Sequence, residues 1–563
     1  MTSPTARIRP ERSTPHRVRD LALTFGFDLA SPTTGTTTGT DVALPDVLVG
    51  AVACDNRAVA DGDLFVAMPG ASAHGARFAA DAVARGARAV LTDPDGAALL
   101  GAGAGQDALP PDVPVLVTPD PRGVLGPVAA WVYGEPAERL MTFGVTGTNG
   151  KTTTTYQLDH LLRALGWTSG LVGTVTTRAG DRVLPSRLTT PEAADLQAVL
   201  AAMCEQGVRT LAMEVSSHAL SMHRVDGINF GVVGFTNLSQ DHLDFHGDLQ
   251  AYFEAKALLF TPAHARRGVV VVDDVWGERM AAAAQVPVAT LRTAPRDGGA
   301  PGADWTVSDV APHGTGSAFT LTHTDGRTLR TSTSLPGEFN VANAALAVAM
   351  VLEGGAHVSD VAEALDGADG LSATVPGRME VISPGGDGTG RPRVIVDFAH
   401  NTDALELALD ALRPSTAGRL VLVFGATGDR DRGKRPSMGA AGVAGADVVV
   451  VTDDDPHGED PAAVRAAVLD GARAAQQVAR EAGREVTVLE VADRAGAIVR
   501  AVAEASADDT VLVAGRGHET IQEVAGVDLE LDDRVEARRA LDALDPVDAP
   551  QQRAARDERT TTA

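Results

Sequence analysis

The sequence predicts an α/β protein of three domains, and three observations lead there. Short apolar runs recur along the 563 residues and alternate with Ala-rich stretches of helical periodicity. That alternation belongs to parallel sheets flanked by helices. The chain is 44% hydrophobic with 59 Gly, enough apolar surface for several cores, and its length corresponds to roughly three or four domains.

Taken in order, apolar runs at 64–68, 88–92 and 113–117 predict a small α/β domain over 1–136. A central domain, 137–372, opens with the strand MTFGVTG and a helix from Thr152 to about Gly166, and continues with runs at 210–215, 230–235 and 268–272. A C-terminal domain, 373–545, repeats strand and helix at 393–398, 419–424, 447–452, 485–491 and 510–515. The Gly/Pro/Asp-rich stretches 293–304 and 383–392 read as loops, and 546–563 as a disordered tail. In the third domain the strands run into polar sequences (DFAHN, FGATGDRDRGKR, VTDDDPHGED, AGRGHE). Open α/β sheets bind ligands beyond the carboxyl ends of their strands, so several such ends together point to a site.

Composition excludes other classes. The formal net charge is −26, which argues against a nucleic-acid partner. Cys54 and Cys204, the only two cysteines, fit a reducing cytoplasm. No apolar run suits a membrane span and no secretory signal is legible at the N-terminus, so a cytoplasmic protein without membrane insertion is expected.

Residues 143–156, FGVTGTNGKTTTTY, carry the clearest chemistry. A Walker A loop requires Gly at 145, where this chain has Val. Even so, Gly147 and Gly150 allow backbone N–H groups to converge, Lys151 supplies charge for phosphates, and Thr152 offers a hydroxyl to Mg²⁺. A strand before the loop and a helix after it make chance an improbable source.

GTNGKTT without the leading Gly resembles the phosphate loop of the Mur ligases, cytoplasmic ATP-dependent ligases of peptidoglycan precursor synthesis; folylpolyglutamate synthetases use a close relative. The likeness extends through GDLFVAMPG (62–70), LTTPE (188–192), MEVSSHAL (213–220), FTNLSQDHLDFHG (235–247) and EAKALLF (254–260). It continues in LPGEFNVANA (335–344), VPGRMEV (375–381), DFAH (397–400), GDRDRGKRP (428–436) and GRGHE (515–519). The set is similar to the ligases that join a diamino acid to UDP-N-acetylmuramoyl-L-alanyl-D-glutamate. A folylpolyglutamate-type ligase should instead lack the N-terminal UDP-binding domain.

The resemblance implies an N-terminal UDP-sugar domain, a central ATP-binding domain and a C-terminal domain that binds the amino acid and closes over ATP. For ATP it implies Gly147, Thr148, Asn149, Gly150, Lys151, Thr152 and Thr153, with Asn340, Asn343, Arg378 and Asp397. Helix N-capping is the plain alternative for Asn340 and Asn343. For Mg²⁺ it implies Thr152, Glu214, His242 and Lys256, with Lys151, Lys256 and His242 catalytic.

Lys256 shares a predicted helix face with Leu249, Tyr252, Phe253 and Phe260, so a bare ammonium there is costly. A lysine snorkelling to the helix rim is one answer. A CO₂-derived carbamate, which the resemblance implies, is the favoured one. His246 is ambiguous and stays outside the metal set.

For the UDP substrate the matching positions are Asn56, Thr189, Thr190, Ser216 and Arg224. Asn56 stands where the family has Ser, and Met222 where it has Gln. For the amino acid they are Arg430, Asp454, Asp455, His457, Gly515 and Glu519. Family members using meso-diaminopimelate carry Asp-Asn-Pro-Arg where this chain has Asp454-Asp455-Pro456-His457. The missing Arg, with Asp455, Glu459 and Asp460 nearby, favours L-lysine or L-ornithine. Meso-diaminopimelate is the alternative. Expected partners are small molecules only, with the chain a monomer.

Overall fold

The computed structural model describes residues 8–30, 46–70, 72–102, 108–180, 182–185, 188–293, 302–385, 390–429 and 431–544. The chain forms two compact units, one of residues up to 334 with 339–373, the other of 335–338 with the chain from 374 on. The predicted tail lies outside the described residues.

Among the described residues the first unit contains three sheets, the smallest the antiparallel pair His16–Arg17 with Leu48–Val49. The N-terminal sheet runs Asp28–Ala30, Val115–Val117, Ala89–Thr92, Asp63–Ala67, Ala51–Ala53, parallel except for its first strand. The central sheet has 11 strands. Its parallel run places Ser169–Val172, Thr210–Glu214, Met141–Thr146, Val232–Phe235, Gly268–Val271 and Val288–Arg292 side by side. Strands covered by helices on both faces need apolar residues at successive positions, which explains the Val-rich runs.

The same sheet continues through Trp305–His313, Gly316–His323 and Thr328–Thr333, the last two pairing antiparallel. Sequence reading missed this extension. Trp305–His313 is exposed or half-buried beyond Trp305, and the next two strands mix buried positions such as Phe319, Leu321 and Leu329 with partly exposed ones, so no continuous apolar run marks it.

The helix Ala193–Glu205 serves both sheets. Ala194, Ala198 and Ala201 pack into the N-terminal core, while Leu196, Leu200 and Met203 enter the central core. Its apolar residues run all round because no face is left to water.

A second tie precedes the first sheet. Ile8 is buried in the central core, and Arg9 makes two 2.8 Å hydrogen bonds to the buried Asp63 carboxylate of the N-terminal sheet. The Glu11 and Arg12 backbone N–H groups donate to Glu205.

The second unit is built on a six-stranded sheet in the order Glu380–Ser383, Arg393–Asp397, Thr510–Ala514, Leu420–Phe424, Val448–Val451, Thr487–Glu490. All neighbours are parallel except the first pair. Each of these strands except Glu380–Ser383 falls inside an apolar run read from the sequence. No helix of the described residues is long and apolar enough to cross a membrane.

Candidate active site

The central strand Met141–Thr146 feeds a four-residue loop that opens the helix Lys151–Ala164. Two glycines make the turn possible. Gly147 (φ +152°) and Gly150 (φ +87°) are in conformations disfavoured for other residues, and a Cβ would strike Thr236 Oγ1 at the first and Asn343 Oδ1 at the second. The loop is clamped from the neighbouring strand. Asn149 N–H donates to Asn237 Oδ1 at 3.0 Å, and Thr236 Oγ1 donates to Asn149 O at 2.6 Å. Lys151 Nζ folds back to donate to Gly147 O and Thr148 O at 2.9 and 2.8 Å. Thr153 is buried in the first turn of the helix.

Glu214, fully buried at the end of its strand, is the hub. It accepts from Thr152 Oγ1 at 3.0 Å, Thr174 N–H at 2.7 Å and Thr174 Oγ1 at 2.9 Å. Thr174 Oγ1 in turn lies 3.0 Å from Thr189 Oγ1. Thr190 Oγ1 donates to Glu214 O at 2.9 Å and accepts from Ser216 N–H at 3.2 Å. Arg224 Nε lies 2.9 Å from the Glu192 carboxylate, and its Nη1 donates to Thr190 O at 3.4 Å. The loop before the helix and the threonines at 174, 189 and 190 thus meet around one carboxylate. Sequence reading did not pick out Thr174, Asn237 or Glu192 individually, although the last two stand inside quoted motifs.

Lys256 is buried as its helix face predicted. Its Nζ donates to Gly147 O at 2.7 Å and sits 4.3 Å from the Tyr252 ring centroid. Burial pushes this amine well below its ordinary value, and Lys151 pushes the same way. A rim-seeking lysine is therefore not what the fold contains. His242 (φ +53°) faces His218 with ring centroids 4.8 Å apart, and desolvation lowers it to about 4, so its imidazole is neutral. His246 pairs instead with Ser217 Oγ at 3.0 Å.

No cluster of three or more His, Cys, Asp or Glu with metal-holding geometry occurs among the described residues. The implied set differs in kind, drawing a hydroxyl from Thr152 and an amine from Lys256. With the Glu214 carboxylate bonded to Thr152 and a neutral His242, this donor set fits a hard cation once Lys256 carries oxygen.

Asn340 and Asn343 lie inside the helix Glu338–Glu353, so N-capping does not explain them. Asn343 Nδ2 donates to Asn340 Oδ1 at 3.2 Å, and its Oδ1 accepts from Thr154 Oγ1 at 3.4 Å. Asn56, in the turn after Ala51–Ala53, donates to Asp81 at 2.7 Å. Met222 S lies 3.6 Å from Arg224 Nη2, a weak substitute for an amide.

In the second unit Asp397 ends its strand and accepts from Met379 N–H at 2.7 Å and Ala399 N–H at 2.9 Å. The Arg378 guanidinium lies 4.1 Å from the Phe398 ring centroid, and its Nη1 is 3.3 Å from His518 Nδ1.

Arg430 lies outside the described residues. The other amino-acid positions gather where Val448–Val451 and Thr510–Ala514 end. Gly515 (φ +116°) leaves no room for a Cβ beside Asp454. Asp455 Oδ1 lies 2.5 Å from Nη1 of the buried Arg516 and accepts from Glu523 N–H at 2.9 Å. His457 Nδ1 is 2.9 Å from Glu523 Oε2. Burial and the neighbouring Asp454 raise Glu519 to about 8, against Arg516.

This geometry corrects the acidic pocket expected from the sequence. Asp455 is compensated by Arg516 and pushed upward by burial. Glu459 is held by Arg435 at 2.8 Å and drops to about 2, so its charge is already matched by a guanidinium. Asp460 caps the helix Pro461–Glu481. The carboxylates that should have repelled a second substrate carboxylate are already spoken for, and that argument for lysine or ornithine falls.

Comparison with known proteins identifies the family. Residues 49–129 match the Mur ligase family, catalytic domain; 145–351 match the Mur ligase middle domain; 377–517 match the Mur ligase, glutamate ligase domain. A UDP-N-acetylmuramyl-tripeptide synthetase of Leifsonia xyli subsp. xyli is 45% identical over 96% of this chain and 99% of its own length. A UDP-N-acetylmuramoyl-L-alanyl-D-glutamate–2,6-diaminopimelate ligase of Streptomyces avermitilis is 46% identical over 88% and 93%. A solved ligase of that same description is 30% identical, with TM-score 0.59 over 89% of this chain and 96% of that one. With its phosphate loop, its buried lysine and matches in all three regions, the chain belongs to the Mur ligase family of ATP-dependent acid–amino-acid ligases.

Proposed function

We propose that this enzyme joins a diamino acid to the D-glutamate of UDP-N-acetylmuramoyl-L-alanyl-D-glutamate, and that the amino acid is meso-2,6-diaminopimelate. The observation that carries the reaction is the Glu214 hub, which places a phosphate-loop hydroxyl and the Thr174–Thr189 pair on one carboxylate. A phosphoryl donor and the carboxylate that receives it need such adjacency. The names of relatives such as the Streptomyces avermitilis ligase support diaminopimelate over lysine or ornithine, and the compensated charges of Asp455 and Glu459 remove the objection to it.

ATP phosphorylates the D-glutamate γ-carboxylate, releasing ADP and leaving an acyl phosphate; the amine then attacks its carbonyl carbon and phosphate departs. Backbone N–H groups of Gly150, Lys151 and Thr152 at the start of the helix, with the Lys151 ammonium, hold the transferring phosphoryl group. Thr189, Thr190, Ser216 and Arg224 orient the acceptor, with Asn56 on the uridine side. Asn340, Asn343, Arg378 and Asp397 contact the nucleotide. Thr152, Glu214, His242 and Lys256, as its carbamate, would hold Mg²⁺, which supplies charge neutralisation at the phosphates. CO₂ adds only to a neutral amine, and burial pushes Lys256 toward that form.

Phosphate release in the presence of ATP, the UDP-dipeptide and single amino acids tests this. The expected result is the highest kcat/KM with meso-diaminopimelate. A preference for L-lysine or L-ornithine overturns the amino-acid assignment, and no turnover with any diamino acid overturns the reaction.

A further inference from the structure

The N-terminal segment 8–12 is anchored at two points on the central domain. Ile8 is buried in the central core, and the Glu11 and Arg12 N–H groups donate to the Glu205 carboxylate at 2.8 and 2.7 Å. Between these anchors stands Arg9, whose side chain turns to the N-terminal sheet. Its Nη1 donates to Asp63 Oδ1 at 2.8 Å. Its Nη2 donates to Asp63 Oδ2 at 2.8 Å and to Ala58 O at 2.7 Å.

The bond to Ala58 reaches a functional element. Ala58 closes the single helical turn Asn56–Ala58, which Asp55 caps at its other end by accepting from Arg57 N–H at 3.0 Å. The chain between this turn and the next strand folds onto the same buried carboxylate, since Asp63 Oδ2 also accepts from Ala60 N–H at 2.9 Å. A guanidinium can meet both carboxylate oxygens and a carbonyl together because its donors form a rigid planar fork. Arg9 thus holds the end of the turn and the head of the strand as one body. The turn carries Asn56, whose Nδ2 donates to Asp81 at 2.7 Å, so its side chain is oriented from one direction and its backbone from another.

We propose that Arg9 is a positioning residue for the UDP end of the substrate. It fixes the Asn56–Ala58 turn, and the anchors of its own segment tie that turn to the central core. This rests on the uridine-side reading of Asn56 given above.

The test measures kcat, KM for the UDP-dipeptide, KM for ATP, and inhibition by UDP as a probe of the uridine end, all on the full chain. Arg9→Lys keeps a positive charge beside Asp63, but an ammonium cannot reproduce the fork that also reaches Ala58 O. Losing that hydrogen bond predicts a rise of about 2- to 10-fold in KM for the UDP-dipeptide and in the UDP inhibition constant, with kcat and KM for ATP unchanged. Arg9→Met combined with Asp63→Asn removes the pair without stranding a charge and should show at least the same rise, so the test stays decisive if Arg9→Lys folds poorly. Adding Arg9→Lys to Asn56→Ala should cost nothing further, because both act through one turn. A melting temperature that falls while the UDP constants hold, a loss shared equally by ATP, or full additivity with Asn56→Ala overturns the assignment. Asn56→Ala without effect on UDP inhibition overturns the uridine-side reading itself, and the positioning role with it.

Discussion

Replacing Arg494 with methionine removes the charge at the centre of the second unit and leaves its partner stranded. Arg494 and Asp533 are both fully buried and joined twice, Nε to Oδ1 at 2.8 Å and Nη2 to Oδ2 at 2.7 Å. The guanidinium also donates to Asp453 O at 3.2 Å and Ala514 O at 2.9 Å, so it braces the start of the loop after Val448–Val451. Removing one partner of such a pair costs about 3–5 kcal/mol, because the remaining carboxylate is desolvated without compensation. For a unit of this size that corresponds to a melting-point drop of roughly 6–20 °C. All four tryptophans, Trp131, Trp167, Trp276 and Trp305, lie in the first unit, so calorimetry and tryptophan fluorescence separate the two. The calorimetric transition of the second unit should move down while the fluorescence transition holds. KM for the amino acid should rise in the same variant. The double variant Arg494→Met with Asp533→Leu should recover much of the loss, since apolar replacement of a buried pair is often neutral or better. A single-variant cost below about 1 kcal/mol, or a double variant whose loss is the sum of the two singles, would refute the reasoning.

Lys256→Ala should be nearly inactive and partly rescued by short carboxylates such as acetate; activity equal to wild type rules out a carbamate role. Arg9→Ala strands the buried Asp63 carboxylate and should cost about 3–5 kcal/mol in unfolding of the first unit; a loss under about 1 kcal/mol in denaturant titration contradicts the proposed tie. Glu519 titrates at about 8 in the fold against an ordinary 4.5, so between those values the folded state binds the extra proton. Its stabilising contribution is therefore full below about 4.5 and lost as pH rises through 8. Glu519→Gln should flatten that part of the stability–pH curve, and an unchanged slope shows that the carboxyl is not desolvated.

Much of the site was written in local patterns. The phosphate loop was legible because Gly147, Gly150 and Lys151 act through backbone geometry that neighbouring residues dictate. The burial of Lys256 was legible because helical periodicity places it with Tyr252 and Phe253. The strand runs at 393–398, 419–424 and 510–515 could be read because a parallel strand with both faces covered needs consecutive apolar residues. The solvent-facing strands over 305–333 could not, since nothing in their pattern differs sharply from loop.

Charge was where sequence alone misled. Asp455, Glu459 and Asp460 count as three negative charges in a row of residues, and their local density suggested a pocket for an ammonium. In the fold Arg516 neutralises the first, Arg435 the second, and a helix N-terminus takes the third. Those partners come from elsewhere in the domain, 61 residues away for Arg516 and 24 for Arg435. The sequence by itself determined the elements, the phosphate loop and the burial of Lys256, because these follow from periodicity and short-range geometry. Only the tertiary structure decided which charges remain free to meet a substrate, because electrostatic energy depends on distance in space and on burial, and neither is ordered along the chain.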